Sequence, residues 1–248
     1  MKVTYALMLA IFCTGIDMYV VAALIPTMAA DLNESVASLA LLVSAYALPA
    51  ALLAPFFGPL SDRFGRRLVM VSGMAFFAVT VAGTAVAPSL EVLVVLRVLN
   101  GLGAAVAMPA MFAYAGDLPT VTQRSRAMSN LAMAFPLASL LGLPLGALLA
   151  GTVSWRATFA AVALLALLAT FLIWRLPADR AKGGSAIGYA EGLRFAIGDR
   201  RVLAVLAVSF IWVLGPFGMF TFVAEHFQST FGLSTSEVSV VFIVLGVV

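Results

Sequence analysis

Long apolar runs alternate with short polar gaps along the whole of this chain. The runs cover approximately 5–28, 37–57, 68–87, 89–113, 127–150, 157–175 and 202–223. Each comes close to the roughly 20 residues that a helix needs to cross about 30 Å of hydrocarbon. The gaps fall at 29–36, 58–67, 88, 114–126, 151–156, 176–201 and 224–236. This pattern predicts seven complete membrane helices. An eighth is predicted to open at Ser234-Thr235-Ser236-Glu237, an S-x-x-E capping box. Its residues Val238–Val248 rise only about 16 Å, roughly half of a bilayer.

The gaps also set the organisation. The longest and most polar, with Gly183-Gly184-Ser185, divides a six-helix bundle (1–176) from the start of a second one (202–248), leaving 177–201 as a central loop. Within that loop Ile187, Ala190, Leu193 and Ile197 fall near helical spacing, which predicts a short surface-lying helix. Lys2, Arg63, Arg66, Arg67, Arg124, Arg126, Arg175, Arg180, Lys182, Arg194, Arg200 and Arg201 all fall on one side, and only Arg97 and Arg156 are left over. Because cytoplasmic connectors carry the excess of Lys and Arg, the N-terminus is expected in the cytoplasm.

Composition agrees with lipid as the solvent. Of 248 residues 63% are hydrophobic and 10% charged, against a globular norm of about 25% charged. The net charge of +3 does not point to nucleic acid, because the basic residues form no groove-lining stripe between aromatics. Cys13 is the only cysteine, which excludes an intrachain disulfide and a Cys-based zinc site. The first apolar run, from Val3 to Ala30 with Asp17 as its one charge, far exceeds the roughly 7–15 residues of a signal-peptide core. It is expected to remain as a span.

Two ionisable residues lie deep in the first six runs. Counted from Tyr5, Asp17 sits about 18 Å up its helix; counted from Ser89 on the opposite side, Arg97 sits about 12 Å down. In a core about 30 Å thick, both reach one depth. Charges there face the bundle interior or a wet cavity, often with a partner. They are candidate proton or substrate residues, with a purely structural ion pair as the alternative. Arg97, Asn100, Gly101, Ala104, Met108 and Met111 share one face of helix 4. That face reads either as a cavity wall or as helix packing. Gly142, Gly146 and Ala150 form a small-residue ridge suited to close helix packing. Gly101-Leu102-Gly103 is not a dinucleotide loop, since no strand precedes it. His226 reads as an interfacial residue. Nothing resembles a nucleophile–base pair or a metal cluster, so no enzyme activity, cofactor or metal is expected.

The stretch FGPLSDRFGRRLVM packs Asp62, Arg63, Arg66 and Arg67 into one gap beside Gly58 and Gly65. Both glycines are expected to permit a tight turn. The pattern Gly58-x-Leu60-Ser61-Asp62-Arg63-x-Gly65-Arg66-Arg67 resembles the loop 2–3 signature of the major facilitator superfamily. The run from Asp17 to Pro26 resembles the helix-1 motif of its drug:proton antiporters. Leu96-Arg97-Val98-Leu99-Asn100-Gly101-Leu102-Gly103 resembles the helix-4 motif, with Asn100 where glutamine is commoner. Gly142-Leu143-Pro144-Leu145-Gly146 resembles the helix-5 antiporter motif, with Leu143 where many members have glycine. That form is similar to the motif of sugar- and metabolite-efflux permeases. Trp155-Arg156 followed by Phe159 fits the start of helix 6.

The resemblance implies an all-α polytopic membrane protein: an N-terminal six-helix bundle, helix 7 and a partial helix 8. It implies proton-coupled efflux of a drug, sugar or metabolite across the cell (inner) membrane, with protons, a small molecule and the bilayer as partners. It also implies that the charged loop latches two six-helix halves, Arg66 pairing with Asp117 and Asp62 facing a helix of the second half. The alternative is an incomplete or half-transporter chain that does not transport alone or pairs with another chain. In either case a C-terminal half is the expected partner, and without it the face that carries Asp17 and Arg97 is expected to lie open.

Overall fold

The computed structural model describes residues 2–177, 198–211 and 230–231. Six helices follow one another: α1 (Lys2–Leu32), α2 (Val36–Phe64), α3 (Arg66–Ala85), α4 (Leu90–Gly116), α5 (Val121–Thr152) and α6 (Trp155–Trp174). All six are long and apolar enough to cross a membrane. Helices are what such sequences must form in lipid, where each backbone N–H and C=O needs a partner within the chain. Residues 200–211 are also helical and belong to the start of the predicted seventh helix. The rest of that helix, most of the central loop, His226 and the predicted eighth helix lie outside the described residues.

The chain divides into two units, Met1–Gly184 and Ser185–Val248. Within the first, α4 packs against α2 and α3, α1 against α5 and α6, and α3 against α6. Asp17, Thr14 and Tyr46 are buried with the apolar core that these helices enclose.

The helices start where hydroxyl side chains can hold their free N–H groups. Ser35 accepts from the Ser38 N–H at 3.0 Å, and Ser154 accepts from the Ala157 N–H at 3.2 Å. Thr120 and Gln123 form a reciprocal capping box at the start of α5. Helix α5 therefore begins at Val121, six residues before the predicted start at 127.

The largest departure from the sequence-based expectation is at the charged stretch. The predicted 58–67 connector is almost entirely helical: α2 continues to Phe64, α3 begins at Arg66, and Gly65 alone makes the turn. Its φ of 92° and ψ of 130° explain the glycine. Gly58 makes no turn. It lies inside α2, and a Cβ added there would meet nothing within 4 Å. Charged residues read as a loop here because they break the apolar run, yet polarity does not end a helix that is leaving the hydrocarbon.

Candidate functional site: a buried ion pair and two clusters at the helix ends

Helices α1, α2 and α4 bring the two deep charges together. Arg97 Nη1 donates to Asp17 Oδ2 at 2.6 Å, and the two side chains are 1% and 0% exposed. A charge-assisted bond this short is strong. Helix α2 supplies the rest of the cradle. Arg97 Nε donates to the Leu42 carbonyl at 3.3 Å, and its guanidinium carbon lies 4.6 Å from the centroid of the Tyr46 ring, within cation–π range. Tyr46 in turn donates its hydroxyl proton to the Thr14 carbonyl at 3.3 Å, and the Thr14 hydroxyl donates to Ile11 O at 2.9 Å. Sequence reasoning missed Leu42, Tyr46 and Thr14. A tyrosine in the apolar middle of a membrane run was the available signal, because its hydroxyl needs a partner there. A backbone carbonyl such as that of Leu42 gives no side-chain signal at all.

Burial of this pair corrects one expectation. Asp17 and Arg97 do not line an open face; both are buried, and the partners described for them come from α1, α2 and α4 of the first unit. Their hydrogen bonding is nevertheless incomplete, since Asp17 Oδ1 and Arg97 Nη2 have no partner among the described residues.

The other candidates of helix 4 do not join the pair as one wall. Asn100 turns to α3, where its Nδ2 donates to Thr84 Oγ1 at 3.4 Å. Its Oδ1 is buried and has no partner among the described residues. Met108 is half-buried against the core. Gly101 permits close approach: a Cβ there would collide with the Tyr46 carbonyl, so the glycine keeps α4 against the turn of α2 that holds the cation–π partner. On α5, a Cβ at Gly142 would come within 2.9 Å of Ile16, and one at Gly146 would collide with Val20. Gly142 and Gly146 thus seat α5 on the segment of α1 that carries Asp17. Pro144, between them, is exposed.

The charged stretch forms a second cluster. Arg66 binds Asp62 at 2.9 Å and Asp117 at 2.5 Å, and donates to the Ala113 carbonyl. Arg67 donates to the Trp174 carbonyl. Successive arginines at the start of α3 therefore reach the carbonyl ends of α4 and α6, where positive charge is favoured by the helix dipole. Asp62 thus has a partner within the first unit, and its side chain stays exposed. Arg63 stays exposed and lies 5.6 Å from the ring of Phe64.

A third cluster closes the opposite end. Trp155 Nε1 donates to Asp31 Oδ2 at 3.0 Å, Arg156 pairs with the same carboxylate, and Arg156 Nη2 donates to the Ala87 carbonyl at 3.2 Å. This ties the end of α1 and the α3–α4 connection to the start of α6. Arg156, left over from the basic side, has its role here.

Comparison with known proteins decides the family. The family model described as Major Facilitator Superfamily matches residues 7–248. The chain belongs to the major facilitator superfamily. It is 30% identical over 244 residues to a chloramphenicol resistance protein of Streptomyces lividans, covering 98% of this chain and 62% of that protein. It is 27% identical to multidrug resistance protein 1 of Bacillus subtilis, covering 87% of this chain and 56% of that one. Among solved structures, the proton:xylose symporter XylE superposes with a TM-score of 0.79 at 19% identity, covering 99% of this chain and 66% of that one. That likeness shows the fold alone. The chain spans less than two thirds of the length of each of these proteins.

Proposed function

We propose that this chain supplies the N-terminal body of a secondary transporter that exports a small molecule in exchange for protons, with Asp17 as the proton-carrying carboxyl and Arg97 as its fixed partner. The observation that carries the reading is the Asp17–Arg97 pair, fully buried and held by α1, α2 and α4. An intramembrane charge is costly, and its usual uses are proton relays and substrate sites. Complete burial favours the proton, because a drug-sized ligand has no route to a side chain that is fully enclosed. Arg97 is always charged, whereas Asp17 can gain or lose a proton. Protonating Asp17 would release the guanidinium and give a local change for the bundle to transmit.

The efflux direction is supported by the relatives named for chloramphenicol and multidrug resistance. Coupling to protons is supported by a titratable carboxyl, Asp17, held at bilayer depth beside a permanently charged arginine. Families of this kind move two bodies about one central site. On this reading Gly58, Asp62, Arg63, Gly65, Arg66, Arg67 and Asp117 make the conformational latch, and the N-terminus faces the cytoplasm. The second body is the partner this one needs, and the 248 residues do not transport by themselves.

The test is flux of chloramphenicol in inside-out membrane vesicles that hold the complete two-body transporter. Uptake should follow acidification of the vesicle interior and collapse on adding a protonophore. Uptake that is indifferent to the protonophore would reject proton coupling.

A further inference from the structure

The end of the first unit that carries Arg66 and Arg67 also holds a cleft that neither the ion pair nor the latch uses. It measures about 650 Å³ and lies between the start of α1, the α4–α5 turn and the first turns of α5. Tyr5 and Leu118 give it an apolar side; Thr4, Gln123, Arg126 and Asn130 give it a polar one. Gln123, Arg126 and Asn130 stand at steps of three and four on one face of α5. The Gln123 side-chain oxygen accepts from the Thr120 N–H at 3.4 Å, so its amide NH₂ is the group left to face the cleft.

Charge gives the cleft a direction. No acidic residue lines it among the described residues, and among them Arg126 has no ion-pair partner. The acid closest in sequence, Asp117, is held by Arg66. A guanidinium flanked by neutral amides suits a planar or tetrahedral oxyanion, which it can bind through parallel N–H bonds. Depth narrows the choice. Thr4 and Tyr5 begin a membrane-length helix, so the cleft sits at the level of the headgroups, where basic pockets between helices bind anionic lipid. The geometry points to this cleft as a site for the phosphate headgroup of an anionic phospholipid, held by Arg126 between Gln123 and Asn130, with an acyl chain along Tyr5 and Leu118. The assignment needs the helices to span a bilayer and does not depend on proton coupling.

Native mass spectrometry of the full 248-residue chain in detergent tests it, with dioleoylphosphatidylglycerol and dioleoylphosphatidylcholine as competing probes. The wild type should favour phosphatidylglycerol by about fivefold, the contribution of one basic residue near a membrane surface. Arg126→Gln should remove that preference. Arg126→Lys should keep most of it, and Arg124→Gln, exposed and outside the cleft, should keep all of it. Equal binding of both lipids by the wild type would overturn the assignment, as would an undiminished preference in Arg126→Gln. Displacement of the lipid by millimolar inorganic phosphate would reassign the site to a free anion and equally overturn it. If Arg126→Gln fails to fold, the headgroup preference of the wild type and of Arg126→Lys decides.

Discussion

Arg97 carries five N–H donors into the bundle, and its surroundings answer them unevenly. Asp17 takes one, the Leu42 carbonyl another, the Tyr46 ring lies against the guanidinium, and Nη2 has no partner among the described residues. Removing one member of a buried ion pair strands the other charge and costs about 3–5 kcal/mol, whereas removing both costs far less than the sum. Arg97→Gln alone should therefore destabilise the bundle strongly, and adding Asp17→Asn should restore part of the loss. A double-mutant cycle on thermal unfolding in detergent should give a coupling of about 3 kcal/mol or more, at or above the top of the usual range for contacting residues. Strict additivity would mean that the two side chains do not act on each other in the folded protein. The pair was legible in the sequence because two charges in apolar runs reach one depth when their helices are counted from opposite sides. The cradle around it was not. Leu42 contributes through its backbone, and Thr14 through a carbonyl that only the packing of α1 against α2 presents to Tyr46.

Helix ends and helix contacts depend on a few small residues, and two glycines of the charged stretch make a direct comparison. Gly65 holds a φ of 92° that side chains avoid, while Gly58 lies within α2 with open space around it. Gly65→Ala should lower the melting temperature. Gly58→Ala should leave it unchanged or raise it slightly, since alanine is favoured over glycine in a helix by roughly 0.5–1 kcal/mol. Equal losses at both positions would contradict the helical reading of 58–64. On α5, Gly146→Val would force α5 away from Val20 of α1. Overpacking of this kind costs about 1–3 kcal/mol, and it should also weaken the coupling between Asp17 and Arg97 because α1 carries the acid. The same cycle repeated in the Gly146→Val background checks this. The sequence marked every one of the six apolar stretches, since hydrocarbon thickness sets their length. It missed the end of α2 and the start of α5 by well over a helical turn, because those two helices run beyond the hydrocarbon into residues whose polarity resembles that of loops; the other ends lie close to the expected ones. The start of α5 was readable all the same, from Thr120 and Gln123 at capping-box spacing.

Across the whole first unit, burial is uneven in a way that suits a body made to meet another. Helix α2 is the least buried of the six. Leu41, Leu48, Leu52 and Phe56 stand exposed along it at helical spacing, as do Leu141, Leu145 and Leu148 on α5. Lipid can cover such stripes, and so can a second six-helix body. The ion pair, by contrast, is buried and has its described partners within this unit. In bilayers the 248-residue chain alone should keep Asp17 and Arg97 paired yet show no gradient-driven flux, because alternating access requires two bodies about one site. Saturable flux from a monomer of this chain would contradict that division of labour. Everything proposed for transport turns on Asp17 as the carrier of the coupled proton, and vesicles that hold the complete two-body transporter address that role. Chloramphenicol uptake is followed there against an imposed pH gradient for the wild type and for Asp17→Asn, with matched amounts of folded protein. Gradient-driven uptake is expected in the wild type and none above background in the variant. Uptake by Asp17→Asn at the wild-type rate would contradict the assignment.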